Sequence, residues 1–146
     1  MDIRKIGVIG AGQMGNGIAH VAALAGIDVA LHDLSEDRIK SGLATINGNM
    51  SRQLSKNLIT EEERQSALLR IEGAPKVDDL ADCDLVIEAA TENEQVKVKI
   101  FQSVCPVLRP DAILATNTSS ISITRLASTT DRPERFIGIH FMNPVP

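Results

Sequence analysis

Ile6-Gly7-Val8-Ile9-Gly10-Ala11-Gly12-Gln13-Met14-Gly15-Asn16-Gly17 passes from an apolar strand pattern into a glycine-rich turn and then into a helical pattern. Gly10, Gly12 and Gly15 carry the spacing G-x-G-x-x-G, and Asp33 closes the next apolar run, 27–31. Strand, loop, helix, second strand and terminal acid together form the pattern of a dinucleotide-binding βαβ unit. Each residue type has a physical task there. Gly10 permits the tight turn out of the strand. Gly12, without a Cβ, lets the main chain approach a pyrophosphate, and Gly15 lets the helix pack close to the strand. Ala11, Gln13 and Met14 border the helix start, whose N–H groups lack intrahelical partners and lie at the positive end of the helix. Asp33 is placed to accept hydrogen bonds from adenosine ribose hydroxyls. Its charge repels the 2′-phosphate of NADP, so NAD is the expected cofactor and NADP the disfavoured one, although Arg38 lies close enough in sequence to reach back.

The chain has 146 residues, 43% apolar and 23% charged, which suits one globular domain, 1–146, burying about 70% of the surface of its unfolded chain. A net charge of −4 with no basic block argues against nucleic acid as a partner. The absence of Trp and Tyr removes the stacking platforms of single-strand binders. No apolar run approaches the ~20 residues that span a bilayer, so no membrane association is expected. The segment 1–5 leads into a strand and a glycine turn instead of the apolar core of a signal peptide. Cys83 and Cys105 have no metal-ligand spacing and read as reduced structural cysteines of a cytoplasmic protein.

Along the chain, apolar strand-like runs alternate with helical patterns, which predicts an α/β fold: a Rossmann-type, doubly wound, mainly parallel sheet with helices on both faces. Ser35 caps a long helix on which Ile39, Leu43, Ile46, Met50 and Leu54 recur as one apolar stripe. Thr60 to Glu63 form a capping box that opens a second helix, so the two make a helical hairpin inserted before the sheet resumes. The run 85–90 reads as a buried strand, 94–105 as a helix, 112–117 as a strand, 122–128 as a short helix and 136–140 as the last strand. Ligands in open α/β sheets lie outside the carboxyl ends of the strands. That rule gathers Gly10, Asp33, the stretch 90–93, Asn117 to Ser120 and the stretch 140–143 on one edge.

Asn117-Thr118-Ser119-Ser120 followed by His140-Phe141-Met142-Asn143-Pro144-Val145-Pro146 resembles the cofactor domain of the L-3-hydroxyacyl-CoA dehydrogenases, with the bacterial 3-hydroxybutyryl-CoA dehydrogenases nearest. The resemblance runs from Ile6 through Asp33 and the segment 88–92 to Pro146. It implies oxidation of the 3-hydroxyl of an acyl-CoA to the 3-keto form, with hydride passing to the nicotinamide, or the reverse with acetoacetyl-CoA. It implies His140 as general base and Ser119 as hydrogen-bond partner of the reacting oxygen. It further implies Glu92, Lys97, Asn117, Ser119 and Asn143 along the cofactor, and Lys56 with Ser119 toward the CoA substrate. The chemistry is sound on its own terms, since an alcohol does not lose its proton unaided at neutral pH and histidine is the side chain poised to take it.

Plainer readings stand beside these. His140 alone could be a partly buried strand-end histidine, and His20 and His32 read as structural. The stretch 117–120 could be a simple strand-to-helix turn. Glu92 and Lys97 could be an exposed pair at a helix start, and Arg52 and Lys56 a solvated face. Two rivals remain: a β-hydroxyacid dehydrogenase of the G-x-G-x-M-G type with a lysine base, and a non-catalytic NAD-binding or structural module. In the resembled family a glutamate that orients the histidine, a helical second domain and the homodimer contacts follow the position of Pro146. The expectation is therefore a cofactor half that binds NAD and does not turn over alone.

Overall fold

The computed structural model describes residues 2–142 and 145–146. The chain forms β1 (Lys5–Ile9), α1 (Gln13–Leu24), β2 (Asp28–His32), α2 (Glu36–Ser55), α3 (Glu61–Arg70) and β3 (Ile71–Ala74). It continues with β4 (Leu85–Glu88), α4 (Glu94–Val104), β5 (Ile113–Thr116), α5 (Ile123–Ala127) and β6 (Phe136–Gly138). The sheet order is β3-β2-β1-β4-β5-β6, and every pairing is parallel. This is the Rossmann arrangement, and the strand order reverses between β1 and β4, where such sheets open a crevice.

Both faces of the sheet are buried, which explains the near-continuous apolar strands. Val8, Val29, Leu31, Ile87 and Ala115 point into one core, which Ile18 and Ala19 of α1, Ile46 and Met50 of α2 and Ala67 of α3 complete. Their neighbours Ile9, Ala30, Val86 and Leu114 point the other way, against Phe101 and Val104 of α4 and Leu126 of α5. Phe101 and Phe136 meet edge to face at 5.3 Å in this second core. The inserted hairpin is present as expected. Ser35 caps α2 and Thr60 with Glu63 closes the capping box of α3, with bonds of 3.1 and 2.9 Å. The hairpin packs its stripe onto α1 and so broadens that side of the molecule.

β3 was not legible in the sequence reading, which passed from the hairpin straight to 85–90. The strand has only four residues, two of them exposed, and no alternating pattern. It forms because β2 offers a free edge and because the His32 imidazole bonds the Ala74 carbonyl oxygen at 2.7 Å. β4 stops at Glu88 and β6 at Gly138, each two residues short of expectation, since the chain there leaves the ladder to shape the crevice. Both cysteines are buried and unpaired, and burial pushes the Cys83 thiol up to about 12.

At the opposite, amino-terminal edge of the sheet, Asp84 clasps the start of β1. It accepts from Arg109 Nη2 at 2.6 Å and from the main-chain N–H groups of Arg4 and Lys5 at 2.8 and 3.0 Å. The Arg109 guanidinium first, and then these two donors, hold its carboxyl at about 2, below the ordinary 3.8. A depressed carboxyl stabilises the fold above its unfolded pKa, and that contribution fades as pH falls from about 4 toward about 2. Asp84→Asn is expected to lower neutral-pH stability and to flatten that stretch of the acid-unfolding curve, as followed by circular dichroism.

Candidate dinucleotide-binding site

The glycine loop divides its three glycines between two kinds of requirement. Gly10 has φ +107°, and a Cβ there would stand 2.7 Å from Ala90 Cα. At Gly15 a Cβ would fall 1.6 Å from the Gly10 carbonyl oxygen, so helix and strand meet main chain to main chain. Gly12 differs. Its φ of −71° and ψ of −166° suit any residue, and a Cβ would meet no atom of the described residues within 4 Å. Among the described residues nothing requires glycine at 12, and the space it leaves open lies at the start of α1. Helices α2 to α5 each carry a side-chain N-cap, from Ser35, Thr60, Asn93 and Ser122, whereas α1 has none and no acid in its first turn. An open main-chain approach beside an uncapped helix start fits a pyrophosphate.

Asp33, half-buried at the end of β2, is fixed by main chain. Its Oδ2 accepts from Ala11 N–H and its Oδ1 from Ser35 N–H, each at 3.1 Å. Each carboxylate oxygen keeps a further lone pair for a ribose hydroxyl. Gly10 N–H in turn donates to the His32 carbonyl oxygen at 2.8 Å, which locks the loop to β2.

The other end of the crevice is built from β4, β5 and β6. Glu92 is exposed, and its Oε2 accepts from the hydroxyls of Thr118 at 2.7 Å and Ser120 at 3.1 Å. Ser119 lies exposed between these two tied residues. Asn117 is buried, and its Oδ1 accepts from Phe141 N–H at 2.9 Å, while Ile139 N–H reaches the Thr116 carbonyl oxygen at 3.0 Å. These two bonds bracket His140, whose imidazole is exposed and has no hydrogen-bond partner among the described residues. Gly10, Asp33, Glu92, Asn117, Ser119 and His140 thus share the carboxyl edge of the sheet. Asn143 and Pro144 lie outside the described residues.

Lys97 departs from both readings made of it. It is neither an exposed partner of Glu92 nor a residue at the surface of the crevice: its side chain is wholly buried, with Nζ 2.5 Å from Glu88 Oε1 and 3.3 Å from Thr116 Oγ1. Glu88, which the sequence reading did not single out as a site residue, is equally buried. A carboxylate ending an otherwise apolar central strand was the available signal, because such a charge needs a partner.

Lys56 lies apart from the sheet edge. A cleft of about 700 Å³ runs from Ala11, Gly12 and Gln13 between α1 and α2 to Arg52 and Lys56, with Val145 on its rim. Arg52 is bonded to Asn49 Oδ1. His20 of α1 also lines the cleft, with Nε2 2.7 Å from Gln53 Oε1 and Nδ1 buried without a hydrogen-bond partner among the described residues. Burial lowers the His20 pKa, against the opposing pull of the Gln53 bond.

A wholly parallel sheet in this order, with a loop open for main-chain approach at its switch point, defines a dinucleotide-binding domain of the Rossmann class. Residues 5–146 match the family described as 3-hydroxyacyl-CoA dehydrogenase, NAD binding domain, and the chain belongs to that family. It is 72% identical over 144 residues to a 3-hydroxybutyryl-CoA dehydrogenase of Bradyrhizobium diazoefficiens, covering 99% of this chain and 49% of that protein. It is 47% identical to a probable 3-hydroxybutyryl-CoA dehydrogenase of Deinococcus radiodurans, over 97% of this chain and 51% of the relative. The crystal structure of (S)-3-hydroxybutyryl-CoA dehydrogenase from Ralstonia eutropha superimposes with a TM-score of 0.97 at 48% identity, covering 99% of this chain and 51% of that one. The chain spans about half the length of these relatives. Among the described residues no helix is long and apolar enough to cross a membrane.

The two glycines separate experimentally. Gly12→Ala is expected to leave the melting temperature unchanged and to weaken NADH binding about tenfold or more, read from NADH fluorescence. Gly15→Ala is expected to abolish cooperative folding, because the clash is with main chain and has nowhere to relax.

Proposed function

We propose that this chain is the cofactor-binding half of a two-domain NAD-dependent 3-hydroxyacyl-CoA dehydrogenase that interconverts 3-hydroxybutyryl-CoA and acetoacetyl-CoA. The observation that carries the reading is the pairing of β5 with β6. It sets Ser119 and His140 beyond the ends of neighbouring strands, on the edge that also holds the glycine loop and Asp33. Asp33 takes the adenosine ribose and disfavours a 2′-phosphate, so NAD is preferred to NADP. The main chain at Gly12 and the start of α1 take the pyrophosphate, and Glu92, Asn117, Ser119 and Asn143 border the nicotinamide half. Bound NAD supplies the hydride acceptor.

An imidazole nitrogen of His140 takes the proton of the 3-hydroxyl, and the Ser119 hydroxyl donates a hydrogen bond to that oxygen as charge develops on it. The exposure of both side chains in this chain leaves them free for substrate, while the bonds at Asn117 and Ile139 keep the main chain on either side of His140 in place. Lys56 and Arg52 offer point charges for the CoA phosphates along the α1–α2 cleft. The whole protein is read as a cytoplasmic homodimer held through its other half, with acyl-CoA as its partner molecule and neither nucleic acid nor membrane involved.

The test is NADH oxidation with acetoacetyl-CoA by the enzyme carrying both halves. His140→Ala is expected to lower turnover by about 10²–10⁴-fold while NADH binding stays within about twofold of the unaltered enzyme. Turnover near the unaltered level in that variant would assign the base to another residue. The 146-residue chain by itself is expected to bind NADH more tightly than NADPH and to show no turnover.

A further inference from the structure

Glycine inside a helix costs stability relative to alanine, so a buried one there needs a reason in what packs against it. α1 carries two, Gly15 and Gly17, both buried. Residues two apart on an α-helix lie about 200° apart around its axis, so this pair looks out on nearly opposite sides. The Gly15 side meets the glycine loop. The Gly17 side meets the chain that comes after His140: a Cβ at 17 would stand 2.8 Å from Val145 Cβ, 3.1 Å from Val145 Cγ2 and 3.3 Å from Pro146 Cδ. Gly48 of α2 has no such neighbour, since a Cβ there would meet no atom of the described residues within 4 Å.

The nearest atom at Gly17 is a Cβ, whose place is set by the main chain and which no change of rotamer can move. A methyl added at 17 therefore has to push the main chain of Val145 away from α1. That main chain is on a short leash to His140, five residues earlier, a reach of no more than about 18 Å even when extended. Ile139, Phe141 and Val145 are partly buried against the core that Ile18 and Ala19 of α1 help to form, while His140 is exposed between the first two. The bonds from Ile139 N–H to the Thr116 carbonyl oxygen and from Phe141 N–H to Asn117 Oδ1 tie this segment to the end of β5. The contact at Gly17 fixes its distance from α1. Val145 and Pro146 also line the cleft that begins at Gly12 and Gln13, so the segment lies alongside the start of the same helix.

We propose that Gly17 is a positioning residue for the reaction: it sets the depth at which the chain beyond His140 rests on α1. The base is thereby registered against the helix whose start receives the pyrophosphate. One helix then carries both reactants' reference points, the glycine loop on its Gly15 side and the segment bearing His140 on its Gly17 side. The loop has its own restraints at Gly10, Gly15 and Asp33, so displacing Val145 moves the base and leaves the cofactor site as it was. This rests on the reading of His140 as general base and deepens it.

The experiment uses the enzyme carrying both halves, with acetoacetyl-CoA-dependent NADH oxidation for turnover and NADH fluorescence for cofactor affinity. Gly17→Ala is expected to lower kcat about tenfold with NADH affinity within about twofold of the unaltered enzyme. In a His140→Ala background the same change is expected to alter the residual turnover by less than about twofold, because no base is left to displace. Val145→Gly removes the atom that the new methyl would strike. Combined with Gly17→Ala it is expected to recover at least threefold of the lost turnover. By itself it leaves α1 untouched, and it is expected to lower kcat about threefold, again only where His140 is present, so it decides the matter should Gly17→Ala fail to fold. Equal losses with and without His140, NADH binding that weakens in step with turnover, or kcat within about twofold of the unaltered enzyme in the single variants would each overturn the proposal. Near-normal turnover in His140→Ala alone would instead overturn the assignment of the base, and this inference with it.

Discussion

The close contact between Gly10 and Gly15 is the constraint on which the rest of the site depends. With the Gly10 carbonyl oxygen occupying the place where a side chain on α1 would begin, the helix starts almost on the strand end. That proximity aims the uncapped N–H groups of α1 over the switch point between β1 and β4. It also brings Ala11 within reach of Asp33 and Gly10 within reach of Ala90, so the loop is held from β2 on one side and β4 on the other. A binding loop restrained on both sides spends little of its interaction with a ligand on being ordered. The anion site is thus a consequence of backbone packing, with specificity added at its margin by one carboxylate.

Much of this was legible in the sequence because the determinants are local. The glycine spacing, the acid ending the second run, the caps at Ser35 and Thr60 and the apolar stripe of α2 all lie within a few turns of one another. They name the unit before any tertiary contact is considered. The alternation of doubly apolar strands with helices carried the sheet class for the same reason. β3 was missed because its existence is borrowed from β2: four residues with Gly73 in their midst have no strand pattern of their own. The ends of β4 and β6 were misplaced because apolar residues continue past the point where the ladder stops.

The candidate site was legible in identity more than in arrangement. His140 and Ser119 stood out through the motif around them, whereas the bonds that hold them join residues far apart in sequence, Thr116 to Ile139, Asn117 to Phe141 and Glu92 to Thr118. Lys97 shows the limit most clearly. Near a helix start and five residues from Glu92, it has the setting of a surface charge, and only the closing of β4, α4 and β5 on one another puts it inside. The pairing of His20 with Gln53 across α1 and α2 escaped for the same reason, since neither residue has a local feature that points to the other.

Residues that present chemistry and residues that hold it in place are distinct sets here. His140 and Ser119 are exposed and their side chains make no hydrogen bond among the described residues, while their neighbours Asn117, Thr118, Ser120, Ile139 and Phe141 are each tied to another segment. A group that both anchored its loop and took part in proton transfer would have its hydrogen-bonding capacity divided between the two tasks, and each change of charge would strain the anchor. Moving the anchoring to main-chain amides and to neighbouring side chains leaves the reactive groups free of that conflict while their positions remain set to the tolerance that catalysis needs. The buried carboxylate of Glu88 follows the same division one layer deeper. It accepts from Ala90 N–H, in the loop that approaches Gly10, and from Thr116 Oγ1, at the end of β5, from which Asn117 reaches the chain beside His140. The short strands β4, β5 and β6 can therefore carry a precise edge although each contributes only three or four residues to the ladder.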